Sequence, residues 1–305
     1  MWLLLAFASA ALLGMYDVFK KYSLRGNAVL PILFLNTLFC SLIFLPLVIS
    51  SATGLIDHQS QFYIPTCAWE QHRYILLKAV IVLSSWTLGY YAMKHLPLTI
   101  VGPINATRPV MTLVGALLIF SESLNPWQWA GVLLSIVSFF MLSRSGKKEG
   151  INFTHNRWIY FLVGAAMLGA ASGLYDKYLM SPVATGGLGM DKMVVQSWYN
   201  FYQCAMMAII MLVVWYPSRK SSTPFQWRWS IILISIFLSA ADFVYFYALS
   251  FPDAMISVVS MVRRSSVVVS FLFGAMLLHE KNLRSKSVDL LLVLLGMLCL
   301  WIGTE

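Results

Sequence analysis

Ala6-Phe-Ala-Ser-Ala-Ala-Leu-Leu-Gly-Met-Tyr-Asp17 returns, at a set of its small and polar positions, as Ala165-Ala-Met-Leu-Gly-Ala-Ala-Ser-Gly-Leu-Tyr-Asp176. Ala6, Ala10, Gly14, Tyr16 and Asp17 match Ala165, Gly169, Gly173, Tyr175 and Asp176 at a constant offset of 159. Further along, Tyr90, Pro97 and Arg108 match Tyr245, Pro252 and Arg263 at 155. Asn36 and Cys40 match Asn200 and Cys204 at 164, and Glu122 matches Glu280 at 158. The drift in offset reflects loops of different length. The repeating unit is half the chain, far too long for a solenoid.

What is repeated is apolar. Hydrophobic residues make up 59% of the chain and charged residues 11%, against roughly 25% charged in a soluble domain. Ten apolar stretches run over 2–19, 29–49, 74–93, 98–120, 127–143, 158–180, 192–215, 229–250, 254–278 and 287–303. Each is near the ~20 residues that cross a hydrocarbon core. Lipid offers the backbone no partners, so the spans are helices, and regular β-alternation is absent. The reading is an all-α integral membrane protein of ten transmembrane helices. Connections are too short to hold a soluble catalytic domain.

Two five-helix halves, 1–143 and 158–305, flank a polar basic linker at 144–157 that contains Arg144-Ser-Gly-Lys-Lys-Glu-Gly150. An odd number of spans per half makes the second repeat enter from the opposite side. Inverted repeats of this kind are a transporter architecture. The net charge of +9 does not point to nucleic acid, because the basic residues sit in loops beside the spans. They concentrate in the odd-numbered connections: Lys20, Lys21 and Arg25; Lys94; Arg144, Lys147, Lys148 and Arg157; Arg219, Lys220 and Arg228; Lys281, Arg284 and Lys286. The bias predicts that these loops are cytoplasmic and both termini outside. Met1-Trp2 carries no basic n-region, so the first span is expected to stay as an anchor rather than leave as a signal peptide. The glycosylation-like Asn152-Phe-Thr154 falls in a loop expected inside.

Small residues spaced by four on spans 1 and 6 make flat faces where helix backbones can approach closely. They serve static packing, a surface for rocking, or both.

These features resemble the drug/metabolite transporter superfamily, in its ten-helix EamA-type branch. The resemblance is carried by the two repeats and by Gly14-Met-Tyr-Asp-Val-Phe-Lys20. It also rests on Thr107-Arg-Pro-Val-Met-Thr-Leu-Val-Gly115 leading to Ser121-Glu-Ser, and on Gln128-Trp-Ala-Gly131. Gly274-Ala-Met-Leu-Leu-His-Glu280 and Gly296 echo it in the second half. It covers essentially the whole chain and implies a basket-like bundle with a central cavity and alternating access. It does not select a substrate, because the family carries amino acids, sugars, nucleotide sugars, phosphorylated metabolites and drugs. The family is commonly described with both termini cytoplasmic, opposite to the charge bias here.

Ionisable residues at membrane depth normally face a cavity or a partner. Arg108 lies near the centre of span 4, and Arg263 and Arg264 near the centre of span 9. Guanidinium is permanently charged and its planar fork fits carboxylate or phosphate. The three arginines are candidate substrate ligands for a small organic anion. The alternative is that they cap carbonyls or pair with Asp242. Arg264 is the weaker member, since its repeat counterpart is Pro109. The triose-phosphate branch of the superfamily looks similar, with basic residues on spans 4 and 9 that hold phosphate; the match is by span and depth only.

Asn105 lies between Pro103 and Pro109, which interrupt or kink span 4. Asp242, whose repeat partner is Thr87, is a candidate counter-ion or proton carrier. Tyr90 and Tyr245, with Trp86, Tyr247, Trp198 and Tyr199, could line a cavity, although such residues also gather at membrane interfaces. Asp17 and Asp176 read as interfacial, Asp17 with Lys20 and Lys21 at ion-pair spacing. Glu122 and Glu280 follow span ends. Asn36 and Asn200 suit hydrogen bonding between helices.

The scattered cysteines and five histidines give no metal spacing or disulfide framework, and no Gly-rich phosphate loop provides an ATP motor. No cofactor is predicted. The expected partners are a small-molecule substrate and the lipid bilayer, with association into a homodimer left open. The expected location is the cell membrane, multi-pass, of a bacterial inner-membrane kind. A secondary transporter fits best, with a flippase for a lipid-linked sugar or phosphate as the alternative. An intramembrane enzyme lacks the clustered acid, base or nucleophile it would need.

Overall fold

A computed structural model describes residues 2–108, 110–111, 125–147, 153–180, 183, 186–249, 262–277 and 283–303. Among them the regular structure is helical throughout. The helices are α1 (Trp2–Leu24), α2 (Val29–Ala52), α3 (Trp69–His95), α4 (Leu98–Ala106), α5 (Pro126–Lys147), α6 (Arg157–Met180), α7 (Lys192–Ser218), α8 (Ser230–Leu249), α9 (Ser266–Leu277) and α10 (Leu283–Ile302). Four of these, α2, α3, α6 and α7, are long and apolar enough in their described residues to cross a membrane. Shorter apolar segments cover Trp129–Ser138, Ser230–Tyr245 and Ser287–Cys299. Large apolar side chains such as Leu42, Leu76, Phe140, Ile209, Leu212 and Leu291 stand exposed along the helices. In water that surface would be costly; against lipid it is the favoured one.

Several boundaries move outward from the apolar stretches. α1 runs five residues past Phe19, to Leu24, so Lys20 and Lys21 are helical and not loop residues. Lys20 is buried, and the Lys21 ammonium binds the carbonyls of Met93 and Leu96 at the C-terminal end of α3. A cation there offsets the negative end of the helix dipole. α3 begins at Trp69, where the Gln71 side chain accepts from the Ala68 amide at 3.1 Å; this is half of a capping box. α5 continues through Lys147, into the polar linker, and carries Gly146 within its last turn. α7 widens to a π-helical stretch at Met211–Trp215, just ahead of Pro217. Proline withholds the amide that the preceding turn needs.

The packing pairs helices from opposite halves. α1 packs on α8 and α9, and α6 packs in the equivalent way on α3 and α4. α2 lies against α7, α4 against α9 and α5 against α10. Exchanging the halves maps this set of pairs onto itself. The small-residue faces sit at these crossings. Ser9 Oγ donates to the Ala241 carbonyl at 2.7 Å, and Ser85 Oγ donates to the Ala165 carbonyl at 2.7 Å. A Cβ on Gly14 would come within 2.5 Å of Val269 Cβ, so only glycine fits where α1 crosses α9. The repeat-related amides differ in use. Asn36 Oδ1 accepts from Ser235 Oγ of α8 at 3.1 Å, whereas Asn200 Nδ2 donates within its own helix to Gln196.

Candidate functional site

The arginines of spans 4 and 9 sit where two helices are broken. α4 ends at Ala106, and the Thr107 amide makes a tighter bond to the Ile104 carbonyl at 3.2 Å. Helical turns resume at Arg108 and Met111. Proline at 109 withholds the amide that would have bonded to the Asn105 carbonyl. On the other side, residues 262–264 are helical, and Ser265 makes the same tight bond, N to Val262 O at 3.0 Å. The hydroxyls repeat the device: Thr107 Oγ1 donates to Ile104 O at 2.7 Å and Ser265 Oγ to Val262 O at 2.6 Å. Span 4 is thus interrupted one residue before Arg108, and span 9 one residue after Arg264. Interrupted helices at membrane depth mark binding sites in transporters.

Two glycines set close contacts around these breaks. A Cβ on Gly102 would meet Val267 Cγ2 at 2.6 Å, which fixes a close crossing of α4 on α9. A Cβ on Gly169 would meet Arg108 Cζ at 2.8 Å, so the guanidinium lies flat on the bare backbone of α6. Arg108 Nη2 also donates to Asn105 Oδ1 at 3.1 Å. Arg263 forms an ion pair with Asp242 of α8, and its guanidinium carbon lies 4.4 Å from the centre of the Tyr245 ring. That is cation–π range.

Arg264 follows Arg263 directly in the chain. The charges of Arg108, Arg263 and Asp17 all act on it. It forms no ion pair or hydrogen bond with any described residue. Sequence reasoning set it behind the other two arginines because its repeat counterpart is Pro109. Asp17, read as interfacial, pairs with Lys20 at 2.8 Å and its charge reaches Arg108 as well. The Lys20 ammonium lies 4.2 Å from the Tyr16 ring centre and 5.3 Å from that of Tyr90. The repeat-related Tyr90 and Tyr245 therefore each carry a cation, Lys20 on one and Arg263 on the other. Among the described residues the group holds four cations, Lys20, Arg108, Arg263 and Arg264, against two carboxylates, Asp17 and Asp242.

Other candidates fall elsewhere. Trp86 packs in the apolar core beside α1 and α2. Trp198 stands edge-on to His72, whose ring nitrogen lies 2.9 Å from the Tyr202 hydroxyl. Tyr247 stacks on Phe243, and Phe243 on Phe62 from the α2–α3 connection. Pro109, Glu122, Pro252, His279 and Glu280 lie outside the described residues. Sequence reasoning missed one residue altogether. Lys78, buried within α3, pairs with Asp176 of α6. The signal was available, since a lysine inside an apolar stretch is as costly as an arginine.

No curated protein matches the chain. The profile of the EamA-like transporter family matches it twice, over residues 1–144 and 156–302. A solved structure described as "Crystal structure of protein" shares 12% sequence identity with it at a TM-score of 0.63. That superposition covers 99% of this chain and 98% of the other, and it speaks for the fold alone.

Proposed function

This chain belongs to the EamA-like transporter family, multi-pass membrane proteins that move small molecules, and from that premise we propose that its cargo is a small organic anion, a carboxylate or a phosphate. The observation that carries this reading is Arg264, set in the fields of Arg108 and Arg263 and forming no ion pair among the described residues. Like charges held close in a low dielectric repel strongly, and an anion relieves that repulsion. Arg108 and Arg264 would grip it, Asn105 would orient Arg108, and Tyr90 and Tyr245 would wall the cations they already carry. Asp242 would hold Arg263 when no substrate is bound. In this reading the ten spans form two inverted five-helix repeats, 1–143 and 158–305, joined by the 144–157 linker. Transport would proceed by alternating access in a cell membrane of the bacterial inner-membrane kind, driven by exchange or a gradient and without enzymatic chemistry.

Counterflow in proteoliposomes tests this. Carboxylated and phosphorylated metabolites should exchange, while choline and neutral sugars should not. A preference for cations would overturn the anion reading. So would undiminished anion exchange by folded Arg108→Ala and Arg264→Ala variants.

A further inference from the structure

Three polar residues depart from the internal repeat, and they gather in one place. Asp242 corresponds to Thr87, Lys78 to Leu233 and Tyr199 to Leu35. The Lys78 ammonium lies 5.1 Å from the centre of the Tyr199 ring. Tyr199 in turn stands in the fields of Asp242, Arg263 and Asp176. Residues that obey the repeat can be kept by the scaffold they share; residues that break it need a reason of their own.

Lys78 pairs with Asp176 across the interface between the two halves. Its side chain is 7% exposed and that of Asp176 is 34% exposed. The cation faces inward and the acid outward. A tie between α3 and α6 does not require this pair, since the Tyr175 hydroxyl already donates to the Tyr74 carbonyl one turn away at 3.2 Å. A buried ion pair is weak support for a fold, because desolvation consumes most of its attraction. It does hold a cation ready for an incoming anion.

We propose that Lys78 and Tyr199 form a second anion station, on the Asp176 side of the arginine group. It takes a carboxylate or phosphate before that anion reaches Arg263. Asp176 neutralises Lys78 while the station is empty and is displaced when the anion arrives. The station rests on the anion reading of the arginine group.

The test is equilibrium binding of inorganic phosphate and of succinate to the purified full-length protein, with choline as control and a thermal melt for each variant. Lys78→Met should weaken anion binding about tenfold, the loss of one charge-assisted contact. Asp176→Asn should tighten it, because a competing carboxylate has gone. The double variant should stay weak. If both single variants lose affinity alike and the double variant recovers it, the pair is a structural tie and the station is wrong. If Arg264→Ala abolishes binding while Lys78→Met leaves it unchanged, the arginine site stands and the station falls. If the wild-type protein binds neither anion, the anion reading fails and takes the station with it.

Discussion

The Arg108 guanidinium rests on the α-carbon of Gly169, so closely that a methyl group there would come within 2.8 Å of Cζ. The two residues come from opposite halves of the chain. Gly169 is part of the repeated small-residue face of α6, and Arg108 follows the break in span 4. The glycine therefore does more than let two helices approach. It sets the height at which a permanent charge is held.

Gly169→Ala should displace Arg108 while leaving α6 intact. Alanine is the better helix former by about 1 kcal/mol, so the melting temperature should change little. Anion exchange should fall, and Gly169→Leu should abolish it. Transport assays paired with thermal melts check this. A folded Gly169→Leu variant with full transport would show that the position of Arg108 does not matter.

Lysine should replace the arginines poorly. Arg108 uses Nη2 on Asn105 and lays its plane on Gly169, and a lysine ammonium has neither the plane nor the fork. Arg108→Lys should keep the fold and lose about 2–5 kcal/mol of binding, the cost of breaking a desolvated charge-assisted contact. Competition binding with a labelled anion gives the number. Equal affinity in the lysine variant would mean that charge alone suffices.

Removing one partner of a buried ion pair costs about 3–5 kcal/mol, because the other charge stays behind. Asp242→Asn leaves Arg263 in that state. It should lower the melting temperature markedly, and Arg263→Gln in the same background should restore part of it. If Asp242→Asn instead melts normally, loses gradient-driven uptake and keeps exchange, Asp242 carries a proton and is not a counter-ion.

The charge bias predicts an orientation. A cysteine at Glu305 should react with an impermeant reagent applied from outside, and one at Lys147 should not. The opposite pattern would place both termini in the cytoplasm. It would leave the ten-helix bundle untouched and invert the sidedness of the Lys78–Asp176 pair.

The helical bundle was legible because lipid leaves a chain so few choices. Apolar stretches of about 20 residues must be helices, and the repeat from Ala6–Asp17 to Ala165–Asp176 is a relation within the sequence itself. The family profile matches two nearly equal parts of the chain. Helix ends were read less well. Polar residues such as Lys20 and Arg144 extend a helix as readily as they end one, and Gly146 does not stop α5.

Which charges belong together was a different matter. The apolar stretches around Arg108, Arg263 and Arg264 could not say which way these side chains turn, since a residue's angle about its helix is fixed only by the neighbours that helix packs on. Gly102 against Val267 sets how α4 lies on α9, and Gly169 against Arg108 sets where that one side chain rests. Trp86 and Trp198 sit against apolar clusters. Lys78 was visible as a lysine in an apolar run, yet its partner Asp176 lies in the other half. Spacing along a chain cannot report such a pair, because only the folded crossing of α3 and α6 brings the charges close enough to interact.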